Sequence, residues 1–158
     1  MTETRVVVVG ASGAGKQALL DSLGQAPGGQ RLDDVRARVI LAGGETLEVT
    51  CLEQVAGLSL PPAAGLLALV DAAADDAHQQ LQACLALLSG PAAMLPAVLG
   101  LSRVDLRPEW DLAGTAATLA QAGATLPVVP FDARQASQAL MLLDVLVSQI
   151  ETHGLLGG

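Results

Sequence analysis

A short loop of small residues that ends in a lysine is the stretch of this sequence best suited to chemistry. The loop runs from Gly10 to Lys16, between a run of four valines and a helical pattern. Glycines let main-chain N–H groups approach an anion because no Cβ atom stands in the way, and a helix start attracts negative charge. The residues predicted to bind phosphate are Gly10, Ser12, Gly13, Ala14, Gly15, Lys16, Gln17 and Ala18.

The spacing of this loop matches the P-loop pattern at all but its last position. The pattern reads Gly, four residues, Gly, Lys and then Ser or Thr, whose hydroxyl binds Mg²⁺. Gln17 takes that last position here, and its amide oxygen is a poorer and differently placed ligand. The loop therefore predicts phosphate binding but not metal-assisted hydrolysis, and by itself it would suit ATP as well as GTP. A second interpretation stays open, in which the glycines only form a turn.

Composition narrows the classes of partner. The chain of 158 residues has a net charge of −8 and no cluster of lysine or arginine, which argues against nucleic acid. Its residues are 51% hydrophobic but only 1% aromatic, so stacking on bases is largely unavailable. The length predicts one domain over residues 1–158 with an ordered core of about 4–152. The apolar runs are too short to span a bilayer, so we expect a cytoplasmic protein with no membrane insertion.

The hydrophobic pattern alternates between strands and helices along the chain. The four valines form the first strand, and two segments around Gly43 and Gly44 form a hairpin. The remaining predicted strands are 64–71, 95–101 and 125–131. The first predicted helix follows the phosphate loop and ends near Gly24, and three further helices cover 75–89, 111–122 and 136–151. This order predicts an α/β fold with a mostly parallel six-stranded sheet, one antiparallel hairpin strand and helices on both faces.

Polar residues follow several of these strands. Because ligands of parallel sheets lie beyond the carboxyl ends of the strands, we expect the phosphate loop, Asp71, 102–105 and 132–134 to meet at one edge. Asp71 is there most simply as a cap of its turn. Cys51 and Cys84 lack metal-binding spacing and are predicted to be buried thiols.

The phosphate loop, the hairpin and the Ser-Arg-Val-Asp sequence after the fifth strand resemble Ras-like small GTPases, which have a single P-loop NTPase domain. The resemblance implies that Asp105 accepts hydrogen bonds from guanine and that Arg103 packs along the base. It implies a backbone contact from Ala133, in the position of the family's Ser-Ala-Lys loop. The residues implied in base binding are Ser102, Arg103, Asp105, Asp132, Ala133 and Arg134.

More narrowly, the segments 65–76, 98–106 and 127–146 are similar to bacterial small GTPases of the gliding-motility type. Those proteins are often coupled to roadblock/LC7-domain proteins, so the resemblance implies a protein partner of that kind. We expect the apolar segment 58–62 to form part of its contact surface. The small P-loop proteins of ethanolamine and propanediol utilisation are a second similar family.

The departures from the family change the expected activity. The stretch 25–34 is rich in Pro, Gly and Asp and is predicted to be a loop. It has no threonine, and Glu53 and Gly57 stand one residue too far apart for the family's Asp-x-x-Gly motif. The metal ligands that neutralise charge during hydrolysis are therefore incomplete. The resemblance implies GTP or GDP as ligand, leaves Mg²⁺ binding open, and predicts slow or absent GTP hydrolysis by a molecular switch or scaffold. The alternative is a nucleotide-free pseudo-GTPase that serves as an interaction module.

Overall fold

A computed structural model describes residues 4–10, 15–41, 43–52, 63–88, 95–123 and 126–157, with side chains up to residue 152. These residues form one sheet with helices packed on it. The strands are β1 (Thr4–Gly10), β2 (Gln30–Arg31), β3 (Arg36–Ile40), β4 (Thr46–Cys51), β5 (Gly65–Asp71), β6 (Ala97–Ser102) and β7 (Val128–Phe131). The helices are α1 (Lys16–Gln25), α2 (Ala77–Leu88), α3 (Leu112–Gln121) and α4 (Ala136–Gly157).

The strands lie in the order β2-β3-β4-β1-β5-β6-β7. β1 pairs in parallel with β4 and β5, and β6 pairs in parallel with β5 and β7. β3 runs antiparallel to both of its neighbours, β2 and β4. The α/β class, the mostly parallel sheet and the single antiparallel hairpin strand are thus confirmed.

The predicted number of six strands is wrong, because the described residues already form a sheet of seven. The extra strand, β2, lies within 25–34, the stretch predicted to be a loop. It consists of two residues, Gln30 and Arg31, which pair with Arg38 and Ala37 of β3. Two residues are too few to show the alternation by which a strand is recognised in a sequence.

The central strands are buried on both faces, which explains their continuous apolar runs. Val6 and Val8 belong to the cluster packed under α1 and α4. Val7 and Val9 point to the opposite cluster, which α2 and α3 cover. All seven residues of β5 are buried as well. Helices therefore cover both faces of the sheet, as predicted.

The two cysteines behave as the sequence indicates. Cys51 at the end of β4 and Cys84 in α2 are free and buried. Burial raises the pKa of each thiol to about 12, although Lys16 and Arg31 oppose the rise at Cys51. Neither thiol therefore ionises near neutral pH, and neither has the properties of a nucleophile.

Candidate functional site

The first turn of α1 is built around a glycine and a lysine. Gly15 stands before the helix with a φ of 104°, a left-handed conformation that glycine adopts at little cost. Its carbonyl accepts the hydrogen bond from the N–H of Leu19, 2.8 Å away. The Nζ of Lys16 donates to the carbonyl of Gly10 at 2.8 Å and to that of Leu52 at 2.9 Å. The ammonium group is thus held where β1 and β4 end.

Part of the predicted phosphate loop lies outside the described residues. Ser12, Gly13 and Ala14 belong to that part, so their predicted role stays a prediction. The described members are Gly10, Gly15, Lys16, Gln17 and Ala18, and they cover the end of β1 and the start of α1.

A cavity of about 270 Å³ opens beside Gly15, beyond the ends of β6 and β7. We call it the base-side cavity. All of its lining residues were predicted as site residues, and they come from three separate loops. The lining residues are Gly15, Ala18, Ser102, Arg103, Asp105, Asp132, Ala133 and Arg134. The structure therefore brings the start of α1 together with both segments implied in base binding.

The three loops are close enough to constrain one another. A Cβ atom at Gly15 would lie 3.4 Å from the Cβ of Ala133 and 4.0 Å from the Oγ of Ser102. From α1, the buried Ser22 hydroxyl donates to the carbonyl of Ala133 at 2.5 Å. These contacts attach the 132–134 loop to the helix that follows the phosphate loop. A change in the position of α1 would therefore move one wall of the base-side cavity.

Arg103 forms an ion pair with Asp71 that the sequence analysis missed. The Nε of Arg103 donates to Oδ1 of Asp71 at 2.9 Å, and its Nη2 donates to Oδ2. The Asp71 side chain is only 4% exposed, whereas that of Arg103 is 52% exposed. The hydrogen bonds and the charge of Asp71 raise the pKa of the guanidinium. Asp71 also caps its own turn, as predicted, by accepting from the N–H of Ala73 at 3.0 Å.

The carboxylate of Asp132 organises the other loop of the cavity. It accepts from the backbone N–H of Arg134 at 2.9 Å and from that residue's Nε and Nη2 at 3.0 and 3.1 Å. Gln135 adds a bond of 3.2 Å. These bonds, chiefly those from the Arg134 side chain, lower the pKa of Asp132 to about 2. Asp132 is therefore ionised at neutral pH, and its oxygens are used to hold the loop.

Asp105 differs from Asp132 in its surroundings. It lies in a single turn of 3-10 helix, Val104–Leu106, where it is exposed and faces the base-side cavity. The negative charge of Asp105 is a smaller contributor to the raised pKa values of Arg103 and Arg134, after the carboxylates that bond them directly. Asp105 thus places an accepting carboxylate beside two guanidinium groups at the cavity.

Gln17 faces a different part of the molecule. Its Nε2 donates to the carbonyl of Asp34 at 3.0 Å, and its Oε1 accepts from Nη2 of Arg31 at 2.6 Å. Arg31 also bonds the carboxylate of Asp21 and the carbonyls of Asp33 and Asp34. We call these contacts the Arg31 network. The amide oxygen that could serve as a metal ligand is therefore bonded to a cation of the chain itself.

The sequence offered little sign of the Arg31 network. Arg31 lies in a stretch without hydrophobic periodicity, and its partners come from α1 and from the turn before β3. Within the ranges that the structure describes, no group of three or more His, Cys, Asp or Glu residues is arranged to hold a metal ion.

The base-side cavity presents acceptors, donors and small apolar side chains together. The base-side cavity combines the accepting carboxylate of Asp105, the donating guanidinium groups of Arg103 and Arg134, and the small apolar side chains of Ala18 and Ala133. Lys16 supplies positive charge at the neighbouring end of β1. A positive centre thus lies at the end of β1, and an accepting carboxylate lies at the base-side cavity.

Comparison with known proteins leaves the family open. No protein-family model matches this chain, and a search of curated proteins finds no similar one. None of the helices in the described ranges is long and apolar enough to cross a membrane.

Proposed function

We propose that this chain binds guanine nucleotides in the manner of Ras-like small GTPases, which its motifs resemble. In this proposal GTP or GDP places its phosphates at the 10–16 loop, near Lys16, and its base in the base-side cavity. The observation that supports it most is that every lining residue of that cavity belongs to the phosphate-binding or base-binding set predicted from the sequence. The motifs that carry the resemblance thus lie together in space.

Asp105 is the residue that selects the base under this proposal. Guanine presents two neighbouring donors, its ring N–H and its exocyclic amine, and a carboxylate accepts from both. Adenine has no such pair. Asp105 is exposed at the cavity, where its oxygens are accessible to these donors.

The same proposal predicts slow or absent hydrolysis. The amide oxygen of Gln17 accepts a hydrogen bond from Arg31 at 2.6 Å, so a metal ion at this oxygen would compete with the guanidinium group. Without a metal clamp, the charge that develops during phosphoryl transfer is poorly neutralised. We infer a molecular switch or scaffold that acts through a partner protein, and by its resemblance to the gliding-motility type, a roadblock/LC7-domain protein is the partner to test first.

A second candidate function is a nucleotide-free interaction module. The contacts of Lys16 favour it, because two main-chain carbonyls of the chain bind its ammonium group. Such internal contacts stabilise the region without a phosphate.

Thermal unfolding with nucleotides separates the two candidates. A ligand at about 100 times its dissociation constant stabilises a fold by ~2.7 kcal/mol, which for a domain of this size is roughly 5 to 11 °C. We expect GDP and GTP to raise the melting temperature and ATP to leave it unchanged. The absence of a shift with every nucleotide would favour the interaction module.

Replacement of one base-binding atom tests the assignment of Asp105. Asp105→Asn exchanges an acceptor for an amide donor, which suits the 2-oxo group of xanthine and repels the amine of guanine. We expect a loss of GDP affinity of roughly 10- to 100-fold and a gain for xanthosine diphosphate. Asp144→Asn, on the exposed side of α4, is the matched control. Equal effects of the two substitutions would contradict the assignment.

A further inference from the structure

We propose that Asp71 is a positioning residue for base recognition: it holds Arg103, and through it the turn that presents Asp105. This inference rests on the proposed function. Asp71 ends β5 and lies beside Ser102, which ends β6, because the two residues are paired in register. The carboxylate of Asp71 is thus next to the strand end from which the 102–105 segment leaves the sheet.

The backbone of Arg103 shows why that segment needs support. Its φ of 55° and ψ of 33° are left-handed, and within the described ranges it is the only residue other than glycine with a positive φ. An L-residue avoids this conformation unless its surroundings impose it. The turn Val104–Leu106 begins directly after it, so the conformation of Arg103 sets the direction in which Asp105 points.

Contacts with Asp71 hold Arg103 in this conformation. Arg103 bonds both oxygens of that carboxylate, and a two-point contact fixes the orientation of a planar guanidinium as well as its position. The Asp71 side chain is 4% exposed, so its charge requires a partner within the protein. The buried carboxylate and the left-handed residue therefore stabilise each other.

A second element holds Asp71 itself in place. The backbone N–H of Asp71 donates to Oε1 of Gln80 in α2 at 2.9 Å. Nε2 of Gln80 in turn donates to Asp76 at 2.8 Å. A chain of polar contacts thus runs from α2 through the end of β5 to Arg103. Asp71 does not line the base-side cavity, but Arg103, which does, is bonded to its carboxylate.

Nucleotide selectivity in Asp71→Asn tests the proposal. The amide of asparagine has a similar shape but turns N–H donors toward the donors of Arg103. We expect affinity for GDP to fall about tenfold, affinity for ADP to change little, and affinity for inorganic pyrophosphate to stay the same. Asp75→Asn, an exposed residue after the same strand, should match the wild type in all three measurements.

Arg103→Lys provides the second variant. Lysine keeps the positive charge beside Asp71 but cannot bond both oxygens, so we expect a smaller fall in the ratio of GDP to ADP affinity. Circular dichroism establishes that each variant is folded, and the lysine variant carries the test if Asp71→Asn is not folded. A folded Asp71→Asn that keeps the wild-type ratio, or that loses pyrophosphate affinity to the same extent as GDP affinity, would overturn the inference.

The failure of this inference can be told from the failure of the proposed function. A wild-type protein that prefers GDP, together with an Asp71→Asn variant that does so equally, contradicts only the role of Asp71. A wild-type protein that does not distinguish GDP from ADP contradicts the proposed function and this inference with it.

Discussion

The base-side cavity and the first turn of α1 are neighbours, yet their polar groups face different surroundings. Asp105 and Arg134 are exposed at the edge of an open volume. Gln17 instead has both its amide oxygen and its amide nitrogen bonded to Arg31 and Asp34. One region retains groups that can meet a ligand, whereas the other uses its groups to hold two parts of the chain together.

This difference indicates that binding of the base and the response to the bound nucleotide depend on separate parts of the molecule. Under the proposed function, a ligand could enter the base-side cavity without breaking the Arg31 network. The segment that follows α1 would then respond little to which nucleotide is bound, which favours the scaffold over the molecular switch. We therefore expect this chain to bind GDP and GTP with similar affinity and with little dependence on Mg²⁺.

The largest effect is expected from Lys16→Ala, which removes the positive charge at the end of β1. A hydrogen bond to a charged group contributes about 1.5 to 3 kcal/mol, so GDP affinity should fall by about 100-fold in a calorimetric titration. Guanosine, which has no phosphate, should bind wild type and variant equally. A parallel loss for guanosine would mean that the substitution disturbs the base-side cavity as well.

The second-largest effect is expected from loss of the ion pair between Asp71, which ends β5, and Arg103, which directly follows β6. Arg103→Ala leaves the buried carboxylate of Asp71 without its cation, which strongly destabilises a protein. Because Arg103 is half exposed and water can partly replace it, we expect a loss of about 2 kcal/mol in the free energy of unfolding. Urea denaturation measures this loss, and Arg107→Ala provides a more weakly paired arginine for comparison, since its ion pair with Glu109 is 3.8 Å long.

A smaller effect should appear when a metal ligand is introduced at α1. Gln17→Ser with Arg31→Ala restores the hydroxyl of the P-loop pattern and removes the competing guanidinium. We expect GDP binding by the double variant to weaken about fivefold, or ~1 kcal/mol, when EDTA replaces Mg²⁺. Wild-type binding should not change. A wild-type protein with the same response to EDTA would show that the Arg31 network does not exclude the metal.

The smallest effect is a pH dependence from Asp132. Its pKa of about 2 lies below the ordinary aspartate value of 3.8, so the unfolded chain takes up the proton first as the pH falls. Its stabilising contribution is complete above about pH 4 and disappears as the pH falls to about 2. Because Arg134 is 78% exposed, the contribution is small, roughly 0.5 kcal/mol. In acid unfolding, Asp132→Asn should not show this loss of stability between about pH 4 and pH 2, whereas Asp144→Asn should show it.

The sequence predicted the site where it depends on strand ends and missed it where it depends on pairing between side chains. Parallel strands carry their following loops to one edge, so Ser102 and Ala133 could be placed near Gly15 from the sequence alone. The contact of Asp71 with Arg103 required two further facts. These are the adjacency of β5 and β6 and the left-handed backbone of Arg103, and neither has a signature in the residue pattern.

The strands of the sheet likewise divide into those that the sequence predicted and one that it did not. Long apolar runs such as 64–71 indicated buried strands, because burial on both faces selects the same kinds of residue throughout. The strand β2 escaped prediction since its two polar residues are held by backbone pairing with β3 alone. Because β2 was not predicted, neither the position of Arg31 nor its hydrogen bond to Gln17 was predicted.

The position of β1 also has a consequence for how the chain is made. Both neighbours of this central strand come later in the sequence, and β5 begins only at Gly65. At about 5 to 20 residues per second, translation takes roughly 3 to 11 s to travel from the end of β1 to the start of β5. During that time the four valines of a nascent chain have no completed sheet to enter. β1 can therefore complete its pairing on both sides only after β5 has left the ribosome.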